Sequence, residues 1–171
     1  KTSIREIAEL MVGRKGESMA EVEPRPVPQG KVAMSIRDLY VNMPGERVNG
    51  LSLDVIEGEI LGIGGLAGQG KLGISNGIMG LYEAEGEVTL FGEKLNIMDT
   101  REVLKAGVAM VSEDRKGVGL LLDRSIEDNI VFNSMQVKNE YLKKIGPFTL
   151  VDSKKVRQTA EEYIKSLDIR C

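Results

Sequence analysis

The most informative absence in this 171-residue sequence is histidine, which does not occur at all. Ser-His-Asp hydrolysis, Cys-His nucleophilic catalysis and His-ligated zinc are therefore excluded. Cysteine occurs once, as Cys171. No disulfide can form within the chain, a Cys₄ zinc site is excluded, and a reducing compartment is expected. Tryptophan is absent and aromatic residues make up only 4%, which argues against base stacking as a main binding mode.

The sequence also lacks a strong excess of charge of either sign. Lys and Arg number 23, Asp and Glu number 26, and the net charge is −3. Strong attraction to nucleic acid or to anionic lipid is therefore not expected. No apolar run reaches the roughly 18 residues that a membrane-spanning helix needs. Hydrophobic residues at 42% and charged residues at 29% are typical of a globular protein.

The chain is predicted to divide at a proline-rich stretch. Apolar residues at helical spacing and a capping-box pattern predict a helix over residues 1–13. Three prolines at every second position then forbid a helix and favour an extended linker over residues 14–30. Because a denser hydrophobic pattern begins at Lys31, we expect a domain boundary in this linker.

From Lys31 onward, strands and helices are predicted to alternate, which favours an α/β fold with a mostly buried sheet. Short apolar runs that precede or follow turns are interpreted as buried strands. The predicted strands cover residues 31–40, 51–55, 59–64, 87–91 and 108–111, and the predicted helices cover residues 71–79, 100–106 with Thr100 as N-cap, 125–133 and 153–166.

The part of the sequence that indicates chemistry is a glycine-rich loop directly after the apolar run at residues 59–64. Residues 65–71 match the phosphate-binding pattern G-x-x-x-x-G-K, but Leu72 stands where the pattern has Ser or Thr. Glycines let the backbone wrap closely around a phosphate chain, with successive N–H groups and a helix N-terminus directed at it. Lys71 would reach the outer phosphates as a point charge. The candidate nucleotide-binding residues of the loop are Gly65, Gly68, Gln69, Gly70, Lys71 and Leu72.

A second interpretation of these glycines is the dinucleotide-binding fingerprint. Residues 62–67 fit its pattern G-x-G-x-x-A. This interpretation leaves Gly68, Gly70 and Lys71 without a role, and no clean strand ending in an acidic residue follows about 20 residues later. The phosphate-binding loop is therefore favoured.

The stretches on either side of the loop form a recognisable pattern. The sequence has G-L-S-L-D-V at residues 50–55 and G-E-I-L-G-I at residues 58–63 before the loop, and G-E-V-T-L-F-G at residues 86–92 after it. These stretches resemble the nucleotide-binding domain of ABC transporters. The resemblance implies a P-loop NTPase core with an antiparallel β subdomain.

Further motifs narrow this resemblance. V-S-E-D-R-K at residues 111–116, G-L at 119–120 and S-I-E-D-N-I at 125–130 resemble the second nucleotide-binding domain of the double-domain ATPases that energise bacterial monosaccharide importers and their nucleoside-importing relatives. M-V-G-R at residues 11–14 resembles the tail of the first domain. The resemblance thus implies that residues 1–13 are the C-terminal tail of a preceding nucleotide-binding domain. Residues 14–30 would be the linker, and residues 31–171 the N-terminal part of the second domain, truncated before the signature motif.

The resemblance also implies roles for residues outside the loop. Glu113 stands at the position of the Q-loop glutamine. The aromatic that stacks on adenine should fall near Asn42 or Met43, and Tyr40 is close but out of register, so an ordinary strand aromatic is the favoured interpretation there. The implied cofactor is ATP. Leucine cannot ligate Mg²⁺, which prefers oxygen donors, so Leu72 predicts weak or absent magnesium binding, and neither a metal site nor a catalytic residue is predicted.

The function implied is that of an ATP-binding fragment of a sugar importer, at the inner, cytoplasmic face of the plasma membrane. Expected partners are the transmembrane permease subunits and a facing nucleotide-binding domain, from the same polypeptide or a second copy, with no nucleic acid. The parent protein would be an ATPase, whereas this chain alone is predicted to be inactive. Two alternatives stay open: a nucleoside-importer ATPase, and a catalytically dead dimerisation scaffold that binds no nucleotide. Leu72, Gly73 and Glu113 favour the scaffold, whereas the intact Gly65, Gly68, Gly70 and Lys71 oppose it. A P-loop phosphotransferase is disfavoured by the missing hydroxyl and the missing general base.

Overall fold

The structure is a computed structural model that describes residues 6–7, 10–11 and 30–171. Residues 6–7 and 10–11 are helical. The rest of the predicted helix over residues 1–13 and nearly all of the predicted linker over residues 14–30 lie outside the described residues. The division of the chain into a tail, a linker and a second domain therefore stays a prediction.

An antiparallel four-stranded sheet forms the first part of the fold. Its strands are β1 (Val32–Val41), β2 (Val48–Ile56), β3 (Ala84–Leu90) and β4 (Glu93–Lys94), in the order β2-β1-β3-β4. In β1, Ile36 lies opposite Leu53 of β2 and Val88 of β3. A bulge at Asp38, whose φ is 47°, resets the alternation, so that Ile36 and Leu39 are both buried although they are three residues apart. The predicted antiparallel subdomain is confirmed.

One helix packs on the sheet, and the helices that follow it pack on one another. The helices are α1 (Lys71–Ile78), α2 (Thr100–Lys105), a π-helical turn (Arg115–Gly119), α3 (Ile126–Lys138) and α4 (Ser153–Ser166). The main core lies between α1 and the sheet and consists of Ile36, Leu39, Val41, Val48, Ile78, Ala84, Val88, Leu95 and Ile97. In the described part of the chain, no helix is both long and apolar enough to cross a membrane.

The start of α2 differs from the predicted one by its capping residue. The predicted N-cap Thr100 is wrong, because Asp99 caps α2 by accepting from the N–H groups of Arg101 and Glu102. The Thr100 hydroxyl instead donates to the carbonyl of Met79 at 2.7 Å. This hydrogen bond ties the start of α2 to the end of α1.

A small hairpin that the sequence pattern did not predict separates α3 from α4. Its strands are β5 (Leu142–Ile145) and β6 (Phe148–Val151). Nearly all of its side chains are exposed, so the strands carry no alternation between buried and exposed positions. An ion pair of 2.8 Å between Lys143 and Asp152 holds the hairpin to the start of α4.

The predicted strands over residues 59–64 and 108–111 are wrong. Neither run is a strand, and Ile60 and Val111 are 96% and 99% exposed. Within the described residues, the backbone of residues 60–64 makes no hydrogen bond. A buried strand of this type needs neighbouring strands to satisfy its backbone, and residues 30–171 supply none beside these two runs. The α/β class is confirmed, although the two core strands are not formed.

A candidate phosphate-binding loop

The loop between β2 and α1 has the backbone shape that its glycines predict. The φ angles of Gly65, Gly68 and Gly70 are 154°, 78° and 85°, a range that favours glycine. Gly70 is the N-cap of α1, and it has no side chain that could cap the first N–H groups of the helix. The N-cap residue itself therefore does not compete for these N–H groups, as a Ser, Thr, Asp or Asn at this position would.

Glycine is also required because α1 starts in tight contact with the connection between β1 and β2. A Cβ on Gly70 would lie 2.5 Å from the carbonyl oxygen of Arg47. A Cβ on Gly73 would overlap the carbonyl oxygen of Glu46 and lie 2.9 Å from Cγ2 of Val48. Backbone therefore packs directly on backbone between residues 46–48 and the start of α1.

This packing brings the carboxylate of Glu46 to the loop. The N–H of Gly68 donates to its Oε1 at 2.7 Å, the short distance typical of a charge-assisted hydrogen bond. This hydrogen bond is the main cause that lowers the pKa of Glu46, against desolvation, which raises it. The N–H groups of Leu72 and Gly70 and the charge of Lys71 lower it further. Oε2 is shielded from solvent and has no hydrogen-bond partner among the described residues.

The ammonium of Lys71 is folded back over the loop. Its Nζ donates to the carbonyl oxygen of Gly65 and, at 2.6 Å, to that of Leu66. The predicted cation is therefore close to the loop backbone and bonded to two of its acceptors. One anionic and one cationic side chain of the protein thus contact the loop at the same time.

The position after Lys71 does not fit a magnesium ion. The Leu72 side chain is a hydrocarbon without an oxygen donor. Its carbonyl accepts hydrogen bonds from Asn76 Nδ2 at 2.7 Å and from Ser75 Oγ at 3.2 Å, both within α1. Residues 30–171 contain no group of three His, Cys, Asp or Glu side chains arranged to hold a metal ion.

Tyr40 lies near the end of β1, just before the connection to β2 that contacts the loop. It is 50% exposed and lines an open cavity of about 330 Å³ together with Asn42, Arg47 and Glu85. Because Arg47 contributes to this cavity and also contacts Gly70, the Tyr40 cavity and the loop are neighbours. The geometry is compatible with both interpretations of Tyr40, whose role stays a prediction.

Glu113 and Gln69 do not take part in the contacts that Glu46 and Lys71 make with the loop. Glu113 is exposed just before the π-helical turn, and its side chain makes no recorded hydrogen bond or ion pair with the loop in the described part of the chain. Gln69 is exposed at the tip of the loop. Their predicted roles in nucleotide binding stay predictions.

Sequence reasoning missed Glu46 and did not find the packing role of Gly73. Glu46 lies 22 residues before its partner Gly68, so no short motif joins them, and its only local signal is the Pro44-Gly45 turn before it. The interpretation of Gly73 as a sign of a degenerate site stays a prediction. Its contact with Glu46 shows that it also has a packing role.

A G-x-x-x-x-G-K loop that leads into the first turn of a helix characterises the P-loop class of nucleotide-binding folds, and here that helix packs on the antiparallel sheet. A family model described as "ABC transporter" matches residues 48–170, and the chain belongs to this family. The resemblance that the motifs indicated is confirmed.

Several curated relatives resemble the chain over nearly its whole length. Ribose import ATP-binding protein RbsA 2 of Rhizobium meliloti is 35% identical over 96% of this chain. The RbsA proteins of Oceanobacillus iheyensis and Halalkalibacterium halodurans are 35% and 37% identical over 99% of it. The chain spans only 30% to 32% of the length of these relatives. No solved structure gave a significant match.

Proposed function

We propose that this chain is the ATP-binding part of a sugar-importer ATPase, with the loop at residues 65–71 as its phosphate-binding element. The observation that carries the proposal is the hydrogen bond from the Gly68 N–H to the Glu46 carboxylate. A carboxylate oxygen and a phosphate oxygen are both anionic acceptors of a hydrogen bond from a backbone N–H. The loop therefore already binds an anionic group. Lys71 lies within reach to pair with a second anionic group.

The relatives favour sugar as the transported substrate class. These relatives are named ribose import ATP-binding proteins. For this chain we propose a monosaccharide importer, with a nucleoside importer as the alternative. In the whole protein the chain would lie at the cytoplasmic face of the plasma membrane and contact transmembrane permease subunits. It would also face another nucleotide-binding domain, from the same polypeptide or a second copy.

Within this function we propose that residues 1–13 end a preceding nucleotide-binding domain and that residues 31–171 begin a second one. The site would bind nucleotide without magnesium, because Leu72 offers the ion no oxygen. The site would therefore bind ATP without hydrolysing it. The N–H groups and Lys71 can hold phosphates, whereas hydrolysis also needs an oriented water and stabilisation of the transferring phosphoryl group.

A second candidate function is a dimerisation scaffold that binds no nucleotide. The observation that favours it is that the ammonium of Lys71 is already bonded to two carbonyl oxygens of the loop. The two candidates differ in one measurable property, which is affinity for ATP.

Calorimetric titration of the 171-residue chain with ATP tests the proposal. We expect binding that is lost or strongly weakened in Lys71→Ala, because the ammonium no longer pairs with phosphate. Lys144→Ala is the matched control, since Lys144 is an exposed lysine in β5 and its loss changes the net charge equally. Absence of ATP binding to the unaltered chain, or equal weakening in both variants, would favour the scaffold.

A further inference from the structure

We propose that Glu46 is an internal competitor for the phosphate site: its carboxylate occupies the loop's N–H donor in the free chain and must leave before nucleotide phosphate can bind there. This inference rests on the proposed nucleotide-binding function. It adds a residue that lies outside the G-x-x-x-x-G-K pattern.

The first support is that the position of Glu46 is fixed by backbone packing. Its carbonyl oxygen lies where a Cβ on Gly73 would be, and the carbonyl oxygen of Arg47 lies 2.5 Å from the corresponding point on Gly70. The turn at Pro44-Gly45 directs the chain to this contact. Glu46 is therefore held beside the loop by the fold, and its side chain does not have to be recruited from a distance.

The second support is the state of the carboxylate. Oε1 accepts the Gly68 N–H at 2.7 Å, while Oε2 is shielded from solvent and has no partner among the described residues. The nearby N–H groups of Leu72 and Gly70 stabilise the carboxylate charge, but neither makes a hydrogen bond of normal geometry to Oε2, and a shielded oxygen without such a bond is costly. An incoming phosphate could take the Gly68 N–H and return both carboxylate oxygens to water, so the exchange need not lose hydrogen bonding.

The third support is that Lys71 does not pair with Glu46 by a direct hydrogen bond. Its Nζ is bonded to the carbonyl oxygens of Gly65 and Leu66. Both charged groups that a phosphate would meet are thus bonded to backbone of the loop. When the Glu46 carboxylate leaves, it no longer repels an incoming phosphate. The phosphate can then also pair with the ammonium of Lys71. Both effects favour phosphate binding.

Three variants distinguish two possible effects of Glu46 on phosphate binding: direct occupation of the Gly68 N–H, and long-range repulsion by its negative charge. Glu46→Gln removes the charge and leaves only a weaker neutral acceptor. Glu46→Asp keeps the charge but is one methylene shorter, which withdraws the carboxylate from Gly68. Glu93→Gln is the matched control, because Glu93 is an exposed glutamate of β4 and its loss changes the net charge by the same amount.

The experiment is a titration of each 171-residue protein with ATP and with inorganic phosphate, without magnesium. We expect Glu46→Gln to bind ATP about tenfold more tightly than the unaltered chain, a change equivalent to about 1.4 kcal/mol. Glu46→Asp should also bind more tightly, and Glu93→Gln should not differ. Tighter binding by Glu46→Gln alone would mean that distant charge repulsion acts, and would overturn the inference.

Equal ATP affinity in all four proteins would overturn the role of Glu46 and leave the proposed function intact. Absence of ATP and phosphate binding in every protein would refute both.

A readout without ligand tests the contact itself, because the amide resonance of Gly68 reports the acceptor on its N–H. We expect Glu46→Gln and Glu46→Asp to shift this resonance while Glu93→Gln leaves it in place. An unshifted Gly68 resonance in both Glu46 variants would refute the contact.

Discussion

The substitution Gly73→Ala tests the packing between α1 and the connection from β1 to β2. The added Cβ would overlap the carbonyl oxygen of Glu46 and lie 2.9 Å from Cγ2 of Val48. Overpacking of this kind costs about 1–3 kcal/mol. The upper end applies here because the overlapped atom belongs to the backbone and cannot rotate away. Alanine recovers about 1 kcal/mol of helix propensity relative to glycine.

The expected net loss is therefore about 2 kcal/mol in the free energy of unfolding, which corresponds to a decrease of about 4–8 °C in Tm for a chain of this size. Urea unfolding followed by far-UV circular dichroism measures it. Gly62→Ala is the control, since a Cβ there meets no atom within 4 Å, and we expect a change within about 0.5 kcal/mol. A Gly73→Ala variant as stable as the unaltered chain would refute the packing described for α1.

The remaining predictions concern metal, turnover and pH. ATP affinity should change little between magnesium and EDTA, and Leu72→Thr should introduce a magnesium dependence by supplying a hydroxyl; a strong magnesium requirement of the unaltered chain would contradict this. A phosphate-release assay should show no ATP turnover above background. Turnover that is lost in Lys71→Ala would contradict this prediction. The hydrogen bond from Lys143 lowers the pKa of Asp152 below its ordinary value of 3.8. The resulting stabilisation is present above pH 3.8 and is lost as the pH falls through the lowered pKa, so urea unfolding should show a steeper acid loss than in Asp152→Asn.

Local patterns predicted the parts of the fold that local physics determines. The alternation over residues 31–40 and 51–55 gave the β1–β2 pair, because one face of these strands is buried and the other faces water. Helical spacing gave α4 with the bounds that the structure has. Asp99 and Thr100 are adjacent and both suit an N-cap. The choice between them depended on Met79, which is far away in the sequence and uses the Thr100 hydroxyl.

The errors arise where a distant partner decides the outcome. The apolar runs at residues 59–64 and 108–111 carry the composition of buried strands, but a strand forms only where a neighbour accepts its hydrogen bonds. Glu46 shows the same limit at the candidate site. The motif predicted the loop, the lysine and the missing hydroxyl, whereas the acid that contacts the loop depends on how the β1–β2 connection packs on α1.

The unpaired backbone of residues 60–64 has a thermodynamic consequence for any ligand of the loop. Packing at Gly70 and Gly73 anchors only the end of the loop that leads into α1. Fixing the backbone of one residue costs about 1–2 kcal/mol in conformational entropy. If a bound phosphate orders the residues before the loop, this cost is subtracted from the favourable free energy of binding. Covering Ile60 and Ile63 at the same time would remove apolar surface from water, which gives a negative heat-capacity change. The conformational entropy of this segment should therefore oppose nucleotide binding, while the apolar burial should make binding increasingly exothermic as the temperature rises.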